Sequence, residues 1–324
     1  MRRLRGAIGL ASSWLVLGLL AAPATAAPPA TWITLGTMGG PIANAHRSQP
    51  ANVLLTDDGA ILIDTGDGAA EQLAKAGVAL PRVTAVLLSH LHWDHTGGLA
   101  AILGLRYQTN VPGKLRIVGP PGTKALVAGL VASMQPGAEA GYGAPDAPRI
   151  DPASAVEVSE IGGGDTVILG STRITAVQNS HYSFAAGSEQ DRRFKSLSFR
   201  FDTPGRSIVY TGDTGPSPAV ERLAQGADLL VSEMIDVPAT VANVRRNTPA
   251  MSAAALSDLT WHLSHHHLTP AQVGELAGRA KVKRLVVTHM VPGNLTPGAV
   301  AAYLKAVAAN FAGPSEIADD LDRF

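Results

Sequence analysis

A strand-turn-helix-strand unit occurs twice in this chain, and no other feature restricts its fold as much. Thr65-Gly66-Asp67, followed by Glu71-Gln72-Leu73-Ala74-Lys75-Ala76-Gly77, returns as Thr211-Gly212-Asp213, followed by Glu221-Arg222-Leu223-Ala224-Gln225-Gly226. An apolar run precedes each turn and another follows each helix: Val86-Leu87-Leu88-Ser89 in the first copy, Leu229-Leu230-Val231-Ser232 in the second. Two such halves would press two sheets together with helices outside, an α/β four-layer αββα sandwich, and bring their strand ends to one edge. Chance similarity is the competing reading, since Thr-Gly-Asp is a common turn in a glycine-rich chain. With 46% apolar and 16% charged residues, the chain has the composition of a folded globular protein. Its 324 residues would allow two domains, but the repeat argues for two halves of one, spanning residues 27–324.

The chemistry is concentrated in His90-Leu91-His92-Trp93-Asp94-His95, directly after the strand-like run Val83-Thr84-Ala85-Val86-Leu87-Leu88. Open sheets place their sites in such loops at the carboxyl ends of strands. His90 and His92, two residues apart, lie on one side of an extended chain and can grip one ion, which leaves Asp94 and His95 for a second. Imidazole with carboxylate suits zinc or a similar first-row ion, and no cysteine is present to build a closed thiolate site. An open site of two ions points to hydrolysis.

This loop and the following Thr96-Gly97-Gly98 resemble the signature of the metallo-β-lactamase superfamily of metallohydrolases. That resemblance, spanning about residues 31–312, asks for further ligands, and three strand ends offer them: His181 in Asn179-Ser180-His181, Asp213, and His289 in Thr288-His289-Met290. It implies two zinc ions, one held by His90, His92 and His181, the other by Asp94, His95 and His289, with Asp213 bridging. Asp64 matches a position that supports the ligand loop from behind. The internal repeat aligns Ser232-Glu233 with Ser89-His90, which predicts that Glu233 also stands near the metals.

Near the C-terminus, Trp261-His262-Leu263-Ser264-His265-His266-His267-Leu268-Thr269-Pro270 precedes a predicted helix over 271–280, then a strand over 282–287 and His289. This order resembles ribonuclease Z, related phosphodiesterases and the arylsulfatase-like branch of the superfamily, in which a histidine at the place of His267 stabilises the ester or protonates its leaving oxygen. Its imidazole is suited to donate near neutrality. A surface histidine cluster is the plainer alternative. The segments 35–55 and 118–123 resemble the arylsulfatase-like group. The implied reaction is attack of a metal-bridging hydroxide on an aryl sulfate ester or a phosphodiester, with Asp94 and His267 as catalytic side chains. A lactonase or other carboxylic-ester hydrolase is the alternative, since acyl-homoserine lactonases share all seven ligands.

Partners and location follow from charge and from the first residues. Arg2, Arg3 and Arg5 precede an apolar stretch from Ala7 to Ala22 and the small-residue pattern Ala24-Thr25-Ala26, which reads as a secretory signal over 1–26. The stretch falls short of the ~20 residues of a spanning helix, so no stable anchor is expected and the mature chain is placed in the periplasm or outside. The precursor balances 26 basic against 26 acidic residues, and losing the three signal arginines leaves a net charge of −3. With only 31 residues, Tyr182 to Gly212, where ribonuclease Z inserts its long basic arm, a small anionic ester is expected as substrate and no nucleic acid. Arg192 and Arg193 are candidates to meet that anion. Pro136 to Pro148, rich in glycine and proline, reads as an irregular lid or linker whose Tyr142 would face an aromatic leaving group.

Overall fold

The computed structural model describes residues 30–143 and 150–324; the signal sequence expected over 1–26 lies outside the described residues. Two mixed sheets carry the architecture. The first has six strands in sequence order: β1 (Thr31–Gly36), β2 (Ala51–Thr56), β3 (Gly59–Thr65), β4 (Val83–Leu87), β5 (Leu115–Gly119) and β6 (Val156–Glu160). The second has seven: β7 (Thr166–Leu169), β8 (Thr172–Gln178), β9 (Leu197–Asp202), β10 (Ser207–Tyr210), β11 (Leu229–Ile235), β12 (Leu285–Val291) and β13 (Ser315–Ile317). Each sheet opens antiparallel and turns parallel, at β3–β4 in the first and at β10–β11 in the second. The two copies of the Thr-Gly-Asp turn sit at these two switches, so the sequence repeat is a repeat of topology.

Three apolar clusters divide the layers. Trp32, Leu54, Ile63 and Leu87 of the first sheet meet Phe199, Phe201, Ile208 and Tyr210 of the second in the central seam. The first sheet's outer face packs on α1 (Ala69–Lys75), α3 (Leu99–Gln108) and α4 (Thr123–Ala140) through Leu73, Ile102 and Val127. The second sheet's outer face packs on α6 (Pro218–Leu223), α9 (Pro270–Ala280) and α10 (Pro297–Ala308) through Val220, Val273 and Val307. That is the four-layer αββα sandwich. Strands with both faces covered need apolar residues throughout, and Leu229–Ile235 is buried at every position.

The segment 136–148 departs from expectation at its start. α4 continues through Pro136 and Gly137 to Ala140, because its buried stripe, Thr123, Val127 and Val131, is carried on by Ala138. Two helices stand apart from the layers: α7 (Val237–Asn247) and α8 (Ala253–His265) contact each other, and each buries only one residue, Thr240 and Leu263. They project over the strand ends that hold the histidines. Among the described residues no helix is long and apolar enough to cross a membrane.

Candidate metal centre

The seven residues predicted as ligands converge at one edge of the sandwich. His90 and His92 follow β4, Asp94 and His95 lie in the short α2 (Trp93–Thr96), His181 follows β8, Asp213 follows β10 and His289 lies in β12. His90 Nε2 is 3.1 Å and His181 Nε2 3.2 Å from His92 Nδ1. Asp213 Oδ1 is 3.3 Å from His95 Nε2 and 3.1 Å from His289 Nε2, and its Oδ2 is 3.9 Å from His90 Nε2. Asp94 Oδ2 completes the second group at 3.6 Å from His95 Nε2 and 3.7 Å from His289 Nε2. One carboxylate therefore offers an oxygen to each group.

These atoms fit divalent cations. Ligand atoms about 2.1 Å from a tetrahedral zinc ion lie about 3.4 Å from one another, which is the spacing found in both groups. His95 Nε2, Asp213 Oδ1 and His289 Nε2 are buried without a hydrogen-bond partner, a costly condition that a cation relieves. The electrostatics agree. Burial opposes charge on His95 and His289, yet Asp213 with Asp94 holds the first well above the usual histidine range and raises the second to about 10. The same negative field attracts a metal ion.

Asp64 fixes the rings from behind. It is fully buried at the end of β3 with φ 58, an unusual angle for a non-glycine residue. Its Oδ2 accepts from His95 Nδ1 at 2.8 Å, from Ser89 Oγ at 2.8 Å and from Tyr210 Oη at 2.8 Å, while Oδ1 accepts from the Ser89 backbone N–H at 2.7 Å. Ser89 Oγ in turn accepts from His90 Nδ1 at 3.1 Å. Both imidazoles thereby present Nε2 lone pairs to the centre. His289 also has positive φ, at 47, where β12 shifts register against β11. Its ring lies against Gly39: a Cβ there would come within 2.5 Å of His289 Nδ1.

Glu233 stands in this centre, as the repeat predicts. Its Oε1 accepts from the Thr214 backbone N–H at 2.6 Å and its Oε2 from His267 Nδ1 at 2.8 Å. Burial works against charge on His267, but Glu233 raises its pKa above the usual value. His267 Nε2 is left for the cleft. That cleft, about 510 Å³, is walled by Met38, Ile42, Val244, Met251, Leu259 and Leu263. Trp93, on its rim, is 70% exposed.

The expected substrate contacts are placed elsewhere. Tyr142 lies beside Tyr107 and Met134, and its hydroxyl donates to Gln108 O at 2.6 Å, because α4 carries it away from the metals. Arg192 and Arg193 belong to α5 (Glu189–Arg193); Arg193 pairs with Glu189 at 3.4 Å and stacks on Phe194, outside the cleft lining. Sequence reasoning missed Trp93, α7 and α8 as cleft walls. The one-turn spacing of His262 and His266 was the available signal for α8.

Residues 60–290 match the family described as Beta-lactamase superfamily domain. The chain is 31% identical over 296 residues to a ribonuclease Z of Mycobacterium avium, covering 90% of this chain and 96% of that protein. It is 29% identical over 294 residues to a ribonuclease Z of Mycobacterium bovis, covering 90% and 96%. Among solved structures, the metallo-beta-lactamase fold protein YhfI from Bacillus subtilis superposes with a TM-score of 0.63 at 19% identity, over 92% of this chain and 99% of that one. The short form of human tRNase Z gives 0.61 at 20%, over 91% and 98%. These relatives overturn the expectation of a small ester and no nucleic acid. Net charge averages the whole surface, whereas phosphates bound at a metal centre need no basic face, and the length of one loop does not decide the substrate. The chain is a metal-dependent hydrolase of the metallo-β-lactamase superfamily, in its ribonuclease Z-like branch.

Proposed function

We propose that this protein hydrolyses phosphodiester bonds with two zinc ions, and that RNA is its substrate, as the names of its ribonuclease Z relatives state for them. The observation that carries the reading is the His267–Glu233 pair, 2.8 Å apart beside the seven-residue ligand set. Two divalent ions held there supply an activated water and countercharge for a phosphoryl group. The protein's own groups do the rest. Glu233, fixed at both oxygens, orients the His267 ring so that Nε2 can place a proton on the departing oxygen. Asp94 and Asp213, both buried, would hold the ions together with the imidazoles. The cleft walls are largely apolar, and Trp93 offers an open face on which a base can stack.

Among the described residues, no lysine or arginine lines the cleft. RNA affinity then rests on the metals and on stacking, and falls only gently with salt. The leader read from residues 1–26 adds a location: RNA met outside the cytoplasm is degraded rather than matured.

The test compares zinc-loaded protein on a single-stranded RNA with a 3′ extension, on 4-nitrophenyl sulfate and on an acyl-homoserine lactone. Cleavage of the RNA is expected. Turnover of the sulfate or the lactone with intact RNA would overturn the reading. N-terminal sequencing of the exported chain should begin at Ala27, and a chain retained in the cytoplasm with Met1 would contradict export.

A further inference from the structure

Three histidines of the 262–267 segment are drawn into the centre, and the reading above uses only one. His262, His266 and His267 turn inward while His265 stays exposed. His267 is accounted for by Glu233. His266 supports the ligand set through its backbone, because its carbonyl accepts from His181 Nδ1 at 3.1 Å. The side chains of His262 and His266 remain.

They form a relay that ends in the cleft. Ser183 Oγ contacts His266 Nε2, and His266 Nδ1 lies 2.7 Å from His262 Nδ1. With Ser183 donating to His266 and His266 to His262, every nitrogen in the relay is matched and His262 Nε2 carries the remaining hydrogen. His262 lines the cleft beside His92, Asp94, Asp213 and His267. One ring nitrogen from each of His181, His262 and His267 lies within 4.8 Å of the other two. His262 and His267 thus face one small volume next to the first ligand group, their ring centroids 5.5 Å apart. A half-buried imidazole aimed there without a side-chain acceptor of its own is placed for a ligand, and the ligand that brings acceptor oxygens to this spot is a tetrahedral oxyanion.

We propose that His262 donates a hydrogen bond from Nε2 to a non-bridging oxygen of the bound phosphoryl group, with Ser183 and His266 as positioning residues that fix its tautomer. The role rests on the phosphodiester reading for its substrate, but not for its geometry. Any tetrahedral anion at the centre would meet the same nitrogen.

Binding of inorganic phosphate to the zinc-loaded protein, measured by isothermal titration calorimetry, tests this without turnover. A hydrogen bond to a charged group corresponds to about 10- to 100-fold in affinity, and His262→Ala should weaken phosphate by that factor with zinc content unchanged. His262→Gln, which keeps an N–H donor, should recover part of the loss. Ser183→Ala should weaken phosphate by a smaller factor in the parent protein and by nothing further in the His262→Ala background. Unchanged phosphate affinity in His262→Ala would overturn the proposal, as would a Ser183→Ala effect that persists in that background. Loss of zinc from His262→Ala would make His262 a metal ligand instead and would equally overturn it. If phosphate binding depends on His262 while RNA is left intact, the substrate reading fails and the oxyanion contact stands.

Discussion

Asp64 accepts a hydrogen bond from His95 Nδ1 at 2.8 Å, and through Ser89 the same carboxylate orders His90, a candidate ligand of the other group. A change at Asp64 should therefore disturb both halves of the centre at once. Asp64→Asn tolerates the positive φ but cannot accept from three donors on one anionic oxygen. It should weaken zinc binding by about 10- to 100-fold, as loss of such supporting partners does elsewhere. Competition with a chromophoric chelator checks this. Affinity equal to the parent's would show that the rings hold their tautomers unaided.

His267 and Glu233 separate chemistry from metal binding. His267→Ala should keep both zinc ions and lose about 10²- to 10⁴-fold in turnover. Glu233→Gln should fall between, because it still places a polar partner at Nδ1 but no longer raises the imidazole pKa. Metal analysis beside kinetics on bis(4-nitrophenyl) phosphate makes the distinction, and full turnover in His267→Ala would remove it from the mechanism.

Acid stability carries a separate signature, away from the centre. Partial burial works against ionisation of Asp228, but Lys283 and the backbone N–H and hydroxyl of Ser207 hold its pKa near 2, below the unfolded value of about 3.8. A carboxylate depressed in the folded state stabilises at pH values above its unfolded pKa, and that contribution fades as pH falls from about 4 to 2. Asp228→Asn should cost about 1 kcal/mol at pH 7 once solvent screening is allowed for, with the gap closed near pH 2. Urea unfolding of both proteins at the two pH values decides it.

Trp93 should matter to substrate and little to stability. At 70% exposure its removal forfeits little packing, although the indole rests on its own turn: a Cβ at Gly97 would meet its Nε1 at 3.0 Å. Trp93→Ala is expected to shift unfolding by no more than about 0.5 kcal/mol. The KM for single-stranded RNA should rise roughly 5- to 100-fold, in line with about 1–3 kcal/mol for one stacked base. An unchanged KM would leave the cleft wall without a role in recognition.

How much of this was legible in the sequence depended on whether the signal was local. The repeat around Thr65-Gly66-Asp67 and Thr211-Gly212-Asp213 identified two similar halves, because strand, turn and helix are specified by neighbouring residues; the structure places each copy at the parallel switch of its sheet. The seven clustered residues were legible because each follows or ends an apolar strand, and such strands deliver their ends to one edge. Glu233 was found by aligning the two halves. What failed was placement of surface groups. Tyr142 was placed in an irregular lid or linker because 136–148 is rich in glycine and proline, whereas the stripe running to Ala138 sustains α4 past Pro136 and Gly137. Arg192 and Arg193 follow His181 closely in sequence, yet both belong to α5, where Arg192 donates to the Gly187 carbonyl and Arg193 rests against Glu189 and Phe194. The one-turn spacing of His262 and His266 was a local signal for α8, but that α7 and α8 wall the cleft is set by long-range packing.

Zinc titration of the metal-free protein, read as the initial rate on bis(4-nitrophenyl) phosphate, tests the two-metal phosphodiesterase account most directly. The rate should climb until two zinc ions are bound per chain and stay near background in Asp213→Ala. A full rate at one ion or none, or an Asp213→Ala variant as active as the parent, would contradict it.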